Sequence, residues 1–179
     1  VTGVQTCALP IYLEADEPFV TADLSKIAEV ERALDGVDAV IHLGAMAVES
    51  DWETILSANI EGTYNLFEAA RRQKVKRVVF ASSFHAIGLY PRTRRISVDN
   101  HVRPDSRYGV SKAFGEAVAA FYAYKFGLRV MCIRIGNIAD GPADLRRLSG
   151  WCHPQDLVQL IRIGIEHPDV NYEIVWGMS

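Results

Sequence analysis

Buried strand-like runs alternate with helical segments along most of this chain, and that alternation restricts the fold more than any single motif. Asp38 to Leu43 (DAVIHL), Lys76 to Ser82 (KRVVFAS) and Arg129 to Ile135 (RVMCIRI) are short, largely apolar runs. Such runs suit strands covered on both faces, as in parallel sheets. Between and after them the spacing predicts helices over Trp52–Arg72, over Tyr108–Phe126 closed by Gly127, and over Pro154–Glu166, where proline takes an early position. A shorter helix is expected from an N-cap at Ser25 through Leu34, closed by Gly36. Phe19–Val20 reads as a short strand ending at Thr21–Leu24, and Tyr172–Trp176 as a final strand. Ser83–Pro104 and Gly136–His153 read as loops. Strands alternating with helices need crossovers, so the expected class is α/β, a parallel sheet with helices on both faces.

In such sheets ligands bind beyond the carboxyl ends of the strands. Asp23, Gly44–Ala45, Ser82–Ser83 and Gly136–Asn137 all fall there, and four strand ends converging on one rim weigh more than any one of them. The first residues do not join this pattern. Val1–Ile11 (VTGVQTCALPI) shows neither strand alternation nor a helical stripe, and has no charged leader or signal cleavage pattern. The run is similar to a translated sequencing adapter; an ordinary disordered N-terminus is the alternative.

Composition excludes more than it selects. The 179 residues suit one domain with a sizeable core. A formal net charge of -3 gives no reason to expect nucleic acid or an anionic membrane as partner. No apolar run is long enough to span a bilayer. Cys7, Cys132 and Cys152 are odd in number and lack metal-like spacing, so no metal is expected and reduced thiols in a cytoplasm are the simplest reading.

One pentapeptide carries chemistry. Tyr108-Gly109-Val110-Ser111-Lys112 sets a phenol and an ammonium four residues apart on one helical face. A positive charge at about 4 Å and an effective dielectric of about 20 is worth roughly 4 kcal/mol, or about three pKa units, and would bring a phenol towards neutral pH. There it can exchange protons with a sugar or alcohol hydroxyl. Tyr-x-x-x-Lys is also common on amphipathic helices with no catalytic role.

The ensemble resembles the extended short-chain dehydrogenase/reductases, also called NAD-dependent epimerase/dehydratases. The matching pieces are ADL at Asp23, HLGA at His42, NIEGTYNLFEAA from Asn59, FASS at Phe80, YGVSK at Tyr108 and RIGN at Arg134, in the right order and spacing. Within that family FASSFHAIGLYP, RPDSRYGVSK, the RRLSGW run and the terminal VWG are most similar to uronate dehydrogenases. The resemblance implies a Rossmann-like doubly wound sheet, incomplete at the N-terminus. Residues 1–17 would be a non-native or disordered leader, and 18–179 a partial dinucleotide-binding domain with short substrate-binding elements. It implies an NAD-dependent oxidoreductase acting on a sugar or sugar acid, with a nucleotide-sugar epimerase or dehydratase, or a non-catalytic dinucleotide-binding module, as alternatives. The cytoplasmic intact enzyme would be a homodimer.

Carried over residue by residue, the resemblance makes Tyr108 the acid/base, Lys112 its pKa-lowering partner and ribose ligand, and Ser83 the hydroxyl orienting the substrate oxygen. Asp23 and Leu24 would contact adenine, and Leu43, Gly44 and Ala45 would pass beside the pyrophosphate and ribose. Asn59, Ser82 and Ile135 complete the cofactor set; Asn59 would hold the active-site loops or a water. Ser83, His85, Asn137 and Arg146 would meet the substrate. Each has a plainer role available: Ser82 and Ser83 satisfying a strand end, Asp23 assisting a helix cap, Gly44 an ordinary turn, His85 and Arg146 solvated at the surface.

The chain also departs from the family. The Gly-x-x-Gly-x-x-Gly turn that cradles a pyrophosphate is absent: no glycine lies between Gly3 and Gly36. The acidic ribose ligand of the second strand is missing too, which leaves NADP open beside NAD. Phe84 and Ala47 stand where uronate dehydrogenases typically have Asn and Ser. The expectation is therefore an internal stretch of a longer enzyme.

Overall fold

A computed structural model describes residues 3–5 and 19–179, with side chains from Val20 onward. A four-stranded parallel sheet forms its centre, in the order β3-β4-β5-β8. The chain enters through β1 (Gly3–Gln5) and β2 (Phe19–Thr21), which pair in parallel as a separate ribbon. Three of the leader residues thus form a strand that Val1–Ile11 gave no sign of; apart from Gly3–Gln5, the 1–17 leader lies outside the described residues. Helix α1 (Ile27–Ala33) follows and then β3 (Ala39–His42).

The segment read as one helix over Trp52–Arg72 has three parts. They are α2 (Trp52–Ile55), a π-helical stretch (Leu56–Glu61) and α3 (Gly62–Arg72). β4 (Arg77–Ser83) leads through a 3-10 turn (Phe84–Ile87) and a long loop to α4 (Arg107–Phe126). β5 (Arg129–Ile135) comes next. The expected loop after it holds three short elements: β6 (Asn137–Ile138), α5 (Leu145–Leu148) and β7 (Trp151–Cys152). α6 (Pro154–Glu166) and β8 (Tyr172–Gly177) complete the fold. Helix α1 begins later than expected, with Lys26 at its cap; the Ser25 backbone N–H and hydroxyl instead donate to the Asp23 carboxylate at 2.9 and 2.8 Å.

Alternation along the strands builds two apolar layers. Val78 and Phe80 of β4 and Val130 and Cys132 of β5 join Leu66, Phe67, Val118, Ala119 and Tyr122 on one face of the sheet. Val79, Met131 and Ile133 meet Leu157 of α6 on the other. The sheet is doubly wound, with α3 and α4 on one face and α6 on the opposite one. Residue choice on α4 is set by close approach. A Cβ at Gly115 would lie 2.2 Å from the Phe80 ring, and one at Gly109 would lie 2.2 Å from the His85 carbonyl oxygen. Small residues there let the helix press its first turns against the end of β4.

Candidate active site

Helix α4 starts at Ser106, whose hydroxyl accepts from the Gly109 N–H at 2.9 Å, and ends at Gly127 in the left-handed region. The strong N-cap fixes where the first turn lies. That turn carries Tyr108, and Lys112 stands one turn further along the same face. Ser83 is buried at the carboxyl end of β4, close enough to the phenol that its hydroxyl favours the ionised form. The same Ser83 hydroxyl accepts from the His85 N–H at 3.2 Å, so it satisfies a strand end as well.

Lys112 stands beside the Tyr108 ring. Its ammonium lies 5.5 Å from the centre of the Tyr108 ring and 5.1 Å from that of Phe80. Burial pushes the Tyr108 phenol above its ordinary value, with Ser83 opposing. Lys112 is itself only 4% exposed, and burial brings it down to about 8. No carboxylate pairs with it among the described residues, which leaves its N–H donors available to a ligand.

Asn59 braces the site from the π-helical stretch. Its amide accepts from the Met46 N–H at 2.7 Å and donates to the Met46 carbonyl at 3.1 Å and to the Ser111 hydroxyl at 2.9 Å. Ser111 in turn donates to the Tyr108 carbonyl at 2.7 Å. The loop after β3, which includes Gly44 and Ala45, is thus tied to the Tyr108 turn, and both amide hydrogens of Asn59 are taken by protein partners. Ser82 is likewise taken: its hydroxyl donates to Glu116 at 2.6 Å, facing α4. Any contact it makes to a cofactor falls to its backbone. Leu43 is exposed at the end of β3, while the Leu24 carbonyl accepts from Asn65 at 2.9 Å and the Asp23 carboxylate is engaged by Ser25.

A cavity of about 910 Å³ opens beside Ser83. Its lining includes His85, Ile135, Asn137 and Arg146, so the structure brings together the four residues marked for the substrate and one marked for the cofactor. His85 holds Asp105 through Nδ1 at 2.8 Å and sets its ring edge-on to Tyr108 at 5.5 Å. Phe84 stands in the same wall, stacked edge-on against Trp176 at 5.5 Å, whereas Ala47 lies outside the lining. α5 is a helical turn, and Arg147 lines the cavity together with Arg146. Sequence reasoning passed over Arg92 and Arg94, which complete a basic rim around the opening. Four guanidiniums against the one carboxylate of Asp144 would attract an anion.

Residues 4–147 match the model of the NAD dependent epimerase/dehydratase family. The chain belongs to that family. A uronate dehydrogenase of Pseudomonas putida is 45% identical over 163 residues, covering 91% of this chain and 61% of the relative. The glucuronic acid dehydrogenase structure from Chromohalobacter salexigens superposes with a TM-score of 0.94 at 41% identity, over 99% of this chain and 66% of that one. A tyrosine-to-alanine variant of Agrobacterium tumefaciens uronate dehydrogenase, complexed with NAD, gives 0.92 at 41% identity, over 98% and 67%. The chain thus spans about three fifths of the length of the curated uronate dehydrogenases it matches.

Proposed function

We propose that the gene product carrying this sequence oxidises a sugar acid at its anomeric carbon with NAD, as a uronate dehydrogenase does. The observation that carries this reading is one cluster: Ser83 and Arg146 line the same cavity, and Tyr108 packs edge-on at 5.5 Å against His85 of that lining. In this scheme the bound nicotinamide supplies the hydride acceptor. Tyr108 accepts the anomeric hydroxyl proton, and Ser83 orients that oxygen. Lys112 holds the cofactor ribose with donors that no described carboxylate claims, and its charge favours the phenolate once Tyr108 gives up its proton. Arg146 grips the carboxylate, where a planar guanidinium offers two parallel hydrogen bonds. Phe84 and its Trp176 partner cover the apolar side of the ring.

The pieces present fit the nicotinamide and ribose half of the cofactor better than its pyrophosphate half. No glycine between Gly3 and Gly36 is available to let backbone N–H groups close on a pyrophosphate. NAD affinity of this chain is therefore expected to be weaker than micromolar, and calorimetric titration measures it. The test of function is NAD reduction by the gene product on a panel of uronates, neutral aldoses and nucleotide sugars. Turnover of uronates alone supports the proposal. Interconversion of nucleotide sugars without net NAD reduction supports the epimerase reading instead.

The association proposed for the intact enzyme is a homodimer. Val110, Phe121 and Tyr124 of α4 are exposed, as are Trp52, Leu56 and Tyr64 of the α2–α3 segment, so two neighbouring helices present apolar side chains to solvent. A monomeric mass by light scattering at micromolar concentration rules this out. No helix among the described residues is long and apolar enough to cross a membrane. Two buried free thiols, Cys132 and Cys152, support a reducing cytoplasm.

A further inference from the structure

Glu116 continues the face of α4 that carries the site. Tyr108, Lys112 and Glu116 are spaced by four residues and lie one above the other. Where Tyr108 reaches the end of the sheet, Glu116 meets its interior. The carboxylate receives Arg134 at both oxygens, Nε to Oε1 at 2.8 Å and a terminal nitrogen to Oε2 at 2.9 Å, and Ser82 at Oε1 at 2.6 Å. Ser82 and Arg134 sit opposite each other on β4 and β5, one residue before Ser83 and Ile135. Both charges are almost wholly buried, Glu116 at 4% and Arg134 at 1% exposure. Arg134 also donates to the Val98 carbonyl at 3.3 Å and lies 5.5 Å over the ring of Trp176, the partner of Phe84 in the cavity wall.

A buried ion pair is a poor way to gain stability. Apolar residues of similar volume often do as well or better, because both charges must leave water. What this pair supplies is direction. Three charge-assisted or short hydrogen bonds converge on one carboxylate and admit one position of α4 along β4 and β5. The site needs that position, since Ser83 rides on a strand and Tyr108 on a helix.

Resting on the Ser83 and Tyr108 roles proposed above, we infer that Glu116 and Arg134 are positioning residues which, through Ser82, set the height of α4 on the sheet and so hold the Tyr108 phenol against the Ser83 hydroxyl. Neither touches the reacting atoms. The pair also couples that setting to the cavity wall through Trp176, so catalytic groups and substrate surface are placed by one polar knot.

The test replaces the knot without hollowing the core. The double variant Glu116→Leu/Arg134→Met keeps the volume and removes both charges. If the pair positions the site, its melting temperature stays near the parent's, KM for the sugar acid and for NAD stays within about twofold, and kcat falls about tenfold or more. Parental kcat in that variant overturns the inference. Should the double variant fail to fold, Ser82→Ala carries the test, since it cuts the tie from β4 to Glu116 and leaves the ion pair. A severalfold fall in kcat at unchanged KM supports positioning, and parental kcat overturns it. A second readout needs no turnover: the tyrosine ring-carbon resonance that disappears in Tyr108→Phe, followed through a pH titration without cofactor. Loss of the Ser83 contact moves its titration to higher pH in the variants, and an unchanged titration overturns the inference. If the parent turns over no sugar at all, the proposed reaction fails while this titration still decides the positioning.

Discussion

The two sides of the cavity are built differently. On the α4 side, polar groups are bound to other elements: Asn59 to the Met46 backbone and Ser111, Ser82 and Arg134 to Glu116, Ser83 to the turn after β4. The opposite wall, from Asn137 to Gly150, is held mainly by its own backbone. The Asp144 carboxylate caps α5 at the Arg147 N–H at 2.7 Å, the Asn137 N–H meets the Gly150 carbonyl at 2.6 Å, and Leu145 is 87% exposed. One wall is overdetermined and the other is nearly self-contained. In physical terms the first suits proton transfer, where small displacements are costly, and the second suits recognition, which tolerates local rebuilding.

The sharpest way to break this contrast is to remove the proposed acid/base from the rigid wall. Tyr108→Phe is expected to cut kcat by about 10² to 10⁴, with cofactor affinity within about twofold of the parent. Turnover within about threefold of the parent would show that Tyr108 is not the acid/base. Arg146→Ala tests the other wall. It is expected to lower kcat/KM for a uronate by about 2–4 kcal/mol of transition-state stabilisation, and to leave the matching neutral aldose nearly unaffected. Equal losses on both sugars would mean that Arg146 does not read the carboxylate. With Arg147 on the same cavity, Arg146→Ala/Arg147→Ala reveals whether the neighbour takes over.

The same contrast separates what the sequence made legible from what it hid. Strands β4 and β5 and helix α4 were readable because burial on both faces leaves long apolar runs, and because Gly127 marks the helix end. β6, α5 and β7 were not, since elements of two to four residues carry no period to detect. The π-helical stretch is also invisible, as its residues keep an ordinary helical pattern. Lys112 shows a subtler limit: spacing places an ammonium near a tyrosine, but only coordinates tell whether it meets the hydroxyl or the ring. Glu116 and Arg134 did leave a signal. An arginine inside the otherwise apolar β5 run, and a glutamate eight residues after Tyr108, are charges that a buried strand and a buried helical face must pair.

Lys112 also gives the rigid wall a measurable cost. A lysine whose folded value lies near 8 rather than 10.5 opposes folding whenever it is charged. The penalty is full below about 8, shrinks as pH rises from there towards 10.5, and is gone above. Lys112→Met is thus expected to stabilise the protein by up to about 3 kcal/mol at neutral pH while weakening turnover and cofactor affinity. The gain should fade as the pH of the denaturation experiment is raised through that window. A gain independent of pH would trace to packing rather than to the buried charge.

His42 gives the smallest expected effect and tests the same wall from beneath. It ends β3, stacks at 5.7 Å on the Phe80 ring that also faces Lys112, and its Nε2 has no hydrogen-bond partner among the described residues. Burial, and then the charge of Lys112, hold its pKa at about 3 against an ordinary 6.5. The folded protein keeps the ring neutral, while the unfolded chain takes up a proton as pH falls below 6.5. Stability contributed at neutral pH is therefore lost progressively between 6.5 and 3. Between pH 7 and pH 5 one such group accounts for about 2 kcal/mol. Paired carboxylates add slopes of their own, so the informative quantity is a difference. His42→Met fills a similar volume and cannot titrate. Its unfolding free energy is expected to fall about 2 kcal/mol less than the parent's between those two pH values, in denaturant titrations. An identical pH slope in parent and variant would mean that His42 gains a proton acceptor on acidification, and that the floor of this wall rearranges instead of staying fixed.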